Sequence, residues 1–236
     1  MPAAPTLSVV IPIHNEAAYL PAALTRLRSD LDGLGLAYEV ILAENGSGDG
    51  TENVAAGLAA ADPGVLRVLS LPRPNYGAAM AAGFRAAVGE WVVNFDIDYF
   101  SGDFLRSALA LADRADVVLA SKRAPGADDR RPPLRRLATR VFNLLLHLLF
   151  RSKVSDTHGM KMVRGTVVRE MVPLVGSTLD LFDTELVIRA ERAGYRVAEV
   201  PAVVEEQRQA RSGLLRRVPR TLAGLARIRW RLWRSG

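Results

Sequence analysis

Glu90–Asp98 reads EWVVNFDID. Its first six residues are apolar enough to form a buried strand, and the run stops at two carboxylates one residue apart. In an extended segment the side chains at i and i+2 share a face. Asp96 and Asp98 are therefore expected together at the carboxyl end of a strand. Two carboxylates so placed either repel each other in a solvated turn or hold a divalent cation between them. The chain has no Cys and only three His. The available ligands are oxygens, which suit Mg²⁺ or Mn²⁺ shared with a substrate's phosphates.

The same pattern repeats on both sides of this stretch. Leu7–Ile13 (LSVVIPI) is a continuous β-branched run with Pro12 near its end, and Asn15 or Glu16 is expected to open a helix through about Leu31. Tyr38–Ala43 (YEVILA) is a second strand ending in the turn-rich stretch Glu44–Thr51, followed by a helix to about Ala61. Val65–Leu71 is a third strand, a small-residue helix covers Ala78–Val88, and Val117–Ala120 is a fifth strand after a helix from about Asp103. Strands alternating with helices at this spacing predict an α/β fold: a mostly parallel twisted sheet with helices on both faces. Ligands of such sheets bind beyond the carboxyl ends of the strands. The polar clusters fall there: His14 and Glu16, Glu44 and Ser47, Asn75 and Gly77, Asp96 and Asp98, Lys122 and Arg123. A carboxylate at Glu44 suits a nucleobase edge or a loop cap, and Asn75 either meets a ligand at a helix start or simply caps it. Gly46, Gly48 and Gly50 match neither common phosphate-loop spacing and are read as turn residues.

The chain has 236 residues, 49% hydrophobic and 24% charged, the balance of an ordinary globular protein. Its net charge of +6 is unevenly spread. Residues 1–121 hold 7 Lys+Arg against 14 Asp+Glu, and residues 122–236 hold 24 against 11. The basic half is expected to meet an anion. Arginines 130, 131, 135, 136 and 140 crowd the start of a helix whose continuation, Val141–Phe150, is apolar on nearly every side. That helix is either buried or lies on a bilayer. Between Gly213 and Arg234, arginines 216, 220, 227, 231 and 234 share one helical stripe, with Val218, Leu222, Leu225 and Leu232 opposite and Trp230 and Trp233 near the end. Such a basic amphipathic helix suits an anionic lipid surface. The aromatics do not interleave into a stacking platform, so nucleic acid is not expected. No apolar run is long enough to span a membrane, and the start of the chain has no signal-peptide pattern. The expected location is cytoplasmic, peripheral on the cytoplasmic face of a membrane.

VVIPIHNE (Val9–Glu16), ENGSGDGT (Glu44–Thr51), NYGAAMAAG (Asn75–Gly83) and FDID (Phe95–Asp98) together resemble the motifs of inverting family 2 glycosyltransferases with the GT-A fold. ASKR (Ala120–Arg123), VSDTHGMKMVR (Val154–Arg164) and FDTELVIRAERAGYRVAEVP (Phe182–Pro201) resemble the polyprenol-phosphate sugar synthases, dolichyl-phosphate mannose and glucose synthases among them. The likeness runs over residues 6–215. It implies that Pro12, His14, Glu16, Leu42, Glu44, Asn75 and Ile97 line a nucleotide-sugar site. Asp96 and Asp98 would be the metal pair, and Lys122 would face the donor diphosphate. Arg131, Arg135, Lys161, Arg208 and Arg211 would meet an acceptor phosphate. Tyr99–Gly102 departs from the family pattern, as does the shortened Ala210–Gly213 element beside Arg208. Residues 1–212 then form one glycosyltransferase domain, with a nucleotide-sugar half at 1–121 and an acceptor half at 122–212, and 213–236 is a membrane-interface helix.

The implied reaction moves a hexose from a nucleotide diphosphate sugar to a polyprenyl phosphate. The nearest alternative is a family 2 transferase with a hydroxyl acceptor, which would need a carboxylate base; Asp156 and Asp183 are the candidates. A nucleotidyltransferase would carry a basic, Gly-rich loop after its first strand, where this chain has His14-Asn15-Glu16. A catalytically silent module would not need both carboxylates of the pair. The sequence says nothing of oligomeric state.

Overall fold

The computed structural model describes residues 5–124, 126–129, 133–204 and 214–234. Its elements run β1 (Leu7–Ile13), α1 (Leu20–Asp32), β2 (Tyr38–Asn45), α2 (Thr51–Ala61), β3 (Leu66–Leu71), α3 (Tyr76–Ala86), β4 (Trp91–Asn94), α4 (Gly102–Leu109) and β5 (Val117–Ser121). Then follow β6 (Asp128–Asp129), α5 (Pro133–Phe150), β7 (Lys161–Arg164), α6 (Gly165–Met171), α7 (Phe182–Arg192), β8 (Val197–Pro201), β9 (Val203–Val204) and α8 (Leu214–Arg234). The main sheet has the order β3-β2-β1-β4-β7-β5-β8. Every pairing is parallel except those of β7, which runs antiparallel between β4 and β5. The expected mostly parallel α/β sheet is the one found.

β1 sorts the core by its alternation. Leu7, Val9, Ile11 and Ile13 belong to the cluster shared with α1 and α4, and Val10 to the cluster shared with α3, α6 and α7. The small residues of α3 let that helix approach the sheet closely: a Cβ on Gly83 would lie 2.3 Å from Val10 Cγ1. A third cluster joins α5, α7 and α8 through Leu146, Phe150, Ile188, Leu225, Ile228 and Leu232.

Four expectations need correction. The first helix starts at Leu20, not at Asn15 or Glu16. Residues 15–17 give their amides to Ser47 Oγ, Thr51 Oγ1 and Asp49 Oδ2, so they serve the neighbouring loop, and Pro21 fits the first helical turn that follows. The segment after β4 is not extended: Tyr99 N donates to Asp96 O at 3.0 Å and closes a turn. The arginine stripe of α8 does not all face outward, since Arg220 pairs with Asp180 and Arg231 reaches Glu185 at 2.7 Å. α8 does keep Val218, Leu222, Trp230 and Trp233 exposed. α5 is buried on one side only, through Leu146 and Phe150. Leu134, Leu137, Val141, Leu144 and Leu148, spaced 3, 4, 3 and 4, form one stripe more than half exposed.

Candidate active site

Three loops at the carboxyl ends of β1, β2 and β3 are tied into one rim. Asn15 Oδ1 accepts from Gly48 N at 2.9 Å, and Asn45 Oδ1 accepts from the amide of Asn75 at 2.5 Å. His14 Nδ1 lies 2.8 Å from Asn45 O, so that nitrogen carries the hydrogen. Gly46 has φ +61° and sits so close to the Arg73 and Pro74 backbone that a Cβ would come within 2.7 Å. No side chain fits there, which is the reason for glycine at this turn.

Within the rim, the residues expected to bind a nucleotide sugar divide. Pro12, His14 and Glu16 remain partly exposed on the rim. Leu42 and Ile97 do not: at 0% and 4% exposure both belong to the core. Ile97 instead pins the turn from inside, with a carboxylate on either side of it. Glu44 is also buried, and its two oxygens accept from Gly46 N at 3.1 Å and Ser47 N at 2.7 Å. Of the two sequence readings, loop cap is the one with this geometry. Asn75 caps α3, accepting from Ala78 N at 3.1 Å.

Asp96 lies exposed on the turn that follows β4, among the charges of Asp98, Asp183, Lys161 and Lys122. Partial loss of hydration, reinforced by the nearby Asp183 and Asp98 charges and opposed by Lys161 and Lys122, pushes its pKa up to about 6. Asp98 follows on the turn, beside a cavity lined by Arg26, Ser29, Asp30 and Phe100. Among the described residues no group of three His, Cys, Asp or Glu could hold a metal by itself. Lys122 comes from the end of β5, held by Asp156 Oδ2 at 3.4 Å and by His158 O at 3.3 Å.

Behind Asp96 lies a network that sequence reasoning missed. Lys161 is 1% exposed, and its Nζ donates to Asn94 Oδ1 and Gly159 O at 2.8 Å and to Asp183 Oδ1 at 2.9 Å. Asp183 Oδ2 accepts from the Tyr76 hydroxyl at 2.8 Å. Burial and the Asp183 charge push the Tyr76 hydroxyl well above its ordinary range, so it stays a donor. Lys161 is therefore not placed to meet an acceptor phosphate: all three of its donors are committed inside the protein. The two base candidates are also engaged. Asp183 serves Lys161 and Tyr76, and Asp156 accepts from His158 N while pairing with Lys122. Arg131, Arg208 and Arg211 lie outside the described residues, as does the side chain of Arg135.

The sequence model of the family described as Glycosyl transferase family 2 matches residues 8–172. Glycosyltransferase AglD of Haloferax volcanii is 31% identical over 96% of this chain and 37% of its own length. An undecaprenyl-phosphate 4-deoxy-4-formamido-L-arabinose transferase of Aeromonas hydrophila is 45% identical over 39% of this chain and 28% of its own. The chain thus spans about a third of the length of these two relatives. An uncharacterized glycosyltransferase of Mycobacterium tuberculosis is 31% identical, over 82% of this chain and 83% of its own. Among solved structures, glucosyl-3-phosphoglycerate synthase from Mycobacterium tuberculosis with uridine diphosphate has a TM-score of 0.70 at 21% identity, over 95% of this chain and 80% of its own. Mannosyltransferase PcManGT from Pyrobaculum calidifontis, in complex with GDP-Man and Mn²⁺, has a TM-score of 0.61 at 23% identity, over 93% and 61%. At these identities the likeness carries the fold.

Proposed function

The chain belongs to glycosyl transferase family 2, and on that premise we propose that it moves a hexose from a nucleotide diphosphate sugar to a polyprenyl phosphate at a membrane surface, inverting the anomeric carbon. The observation that carries the acceptor class is the engagement of both base candidates. A hydroxyl acceptor needs a base to take its proton. Asp156 and Asp183 are each 4% exposed or less, and their carboxylates are already paired. A phosphate acceptor is ionised at neutral pH and needs no such base. One of its oxygens attacks C1 of the hexose, and the C1–O bond breaks toward the nucleoside diphosphate, which leaves with the electron pair. The undecaprenyl-phosphate transferase of Aeromonas hydrophila supports the same acceptor class by its name.

Lys122, steadied by Asp156 and His158 O, would meet the charge developing on the diphosphate. The residues fit a divalent cation. Asp96 and Asp98 crowd negative charge that a cation relieves, and two carboxylates leave the remaining positions to diphosphate oxygens and water. Bound there, Mg²⁺ or Mn²⁺ would supply Lewis-acid neutralisation of the leaving group. The neighbours solved with Mn²⁺ and a nucleotide support this reading.

The exposed stripe of α5 and the exposed Trp230 and Trp233 of α8 support a peripheral membrane location. Among the described residues no helix is long and apolar enough to cross a membrane. The second reading is a soluble phosphorylated acceptor carrying a hydroxyl, favoured by the synthase solved with phosphoglyceric acid.

One assay separates the two. The chain is incubated with a panel of labelled nucleotide sugars and Mn²⁺, with polyprenyl phosphate in anionic vesicles or with 3-phosphoglycerate. Label is expected in the lipid phase, and Asp98→Ala should abolish it. Label transferred only to phosphoglycerate overturns the lipid acceptor.

A further inference from the structure

We propose that the cleft between α8 and residues 176–181 is a binding site for a phosphate group, separate from the donor site. Its helix wall is basic by design of spacing: Arg220, Arg227 and Arg231 recur at intervals of 7 and 4, on one face of α8. Gly224 lies between them on the same cleft. A Cβ there would fall 2.4 Å from Leu181 Cδ1, so glycine lets the helix close on the loop. The cleft holds about 60 Å³.

The charges around it do not balance. Arg231 donates to Gly176 O at 3.2 Å, Ser177 Oγ at 3.0 Å and Glu185 Oε2 at 2.7 Å. Arg189 takes the other oxygen of Glu185, at 2.8 Å. Asp180 is matched to Arg220. Four guanidinium groups thus meet two carboxylates, and among the described residues no carboxylate pairs with Arg227. Thr178 and Thr221 line the same space. A guanidinium fork matches the oxygens of a phosphate, and a cation excess makes an anion the favoured guest. The Asp180 carboxylate also lines the cleft, but its charge is spent on Arg220.

That phosphate could belong to the headgroup of an anionic lipid or to a small phosphorylated molecule in solution. The test reads binding, not sugar transfer, so its failure and that of the proposed reaction are distinguishable. The full chain is titrated with inorganic phosphate by calorimetry. In parallel it is sedimented with phosphatidylcholine vesicles containing phosphatidic acid, at fixed salt. Three variants are compared: Arg227→Gln and Thr221→Val in the cleft, and Arg229→Gln on the exposed side of α8.

Arg227→Gln should weaken binding at least tenfold and Thr221→Val about threefold, while Arg229→Gln stays within twofold. Loss in the phosphate titration assigns a soluble source. Loss confined to the vesicles assigns a lipid headgroup. The proposal is overturned if neither probe binds, or if Arg227→Gln and Arg229→Gln weaken vesicle binding alike, as general attraction to an anionic surface would require.

Discussion

Replacing Lys161 with Met keeps the apolar stem and deletes the charge. Three acceptors then lose their donor: Asn94 Oδ1, Gly159 O and Asp183 Oδ1. The carboxylate dominates the outcome. Asp183 is 2% exposed and would keep only the Tyr76 hydroxyl. Removing one partner of a buried ion pair costs about 3–5 kcal/mol, because the other charge is left without compensation. At about 2–4 °C per kcal/mol for a chain of this size, the melting temperature should fall by roughly 6–20 °C. Adding Asp183→Asn removes the stranded charge and should restore a large part of the loss. Urea unfolding of the four proteins measures the coupling directly as a double-mutant cycle. A single variant within about 1 kcal/mol of the parent, or a cycle without coupling, refutes the network as a source of stability. The same substitution reaches Asp96. The Lys161 charge holds the Asp96 carboxyl down, so its loss should move that group further up and shift Mn²⁺ binding to higher pH.

Three more outcomes are expected. With Asp96 at about 6 in the metal-free protein, a proton competes with the cation below that value. Mn²⁺ affinity measured by calorimetry should fall as pH drops from 6 to 5 and level off above 7; a flat profile would remove Asp96 from the metal site. Gly83→Ala places a Cβ against Val10 in the core and should cost about 1–3 kcal/mol of unfolding free energy, with no change if α3 can shift freely. Glu44→Ala leaves the amides of Gly46 and Ser47 without their acceptor, so nucleotide affinity should drop through a loosened loop. Glu44→Gln, which keeps one acceptor oxygen, should recover part of it; equal losses in both variants would argue for direct contact between the carboxylate and the base.

The alternation of apolar runs and polar loops was enough to read the parallel strands, because β1, β2 and β4 are buried on both faces and say so in composition. The strand β7 was not legible. Its four residues begin with Lys161 and end with Arg164, and a lysine in a basic half reads as a surface cation. What buries it are partners 67 and 22 residues away, which no local pattern contains. Glu44, Leu42 and Ile97 turn inward for a related reason. The polar strand ends are visible in the sequence, but which side chains turn inward depends on how tightly the loops close over them. Asp96 and Asp98 follow the end of β4, but the backbone turns between them instead of running extended. The α8 stripe shows the limit of helical periodicity: it puts arginines on one face and leaves open what that face meets.

The position of β7 has a consequence for how the chain is made. β4 is paired with β1 on one side, but its other neighbour is not the next strand in sequence. A ribosome releases β4 well before Lys161–Arg164 exists, and at about 5–20 residues per second the interval is on the order of ten seconds. For that time the edge of a central, apolar strand is open, and β5 has emerged without its partner on either side. Unpaired edges of this kind invite pairing with other chains. The nascent protein is most exposed to aggregation in that window, and slowing synthesis between residues 95 and 160 should lower the soluble yield of a chain whose finished form is unchanged.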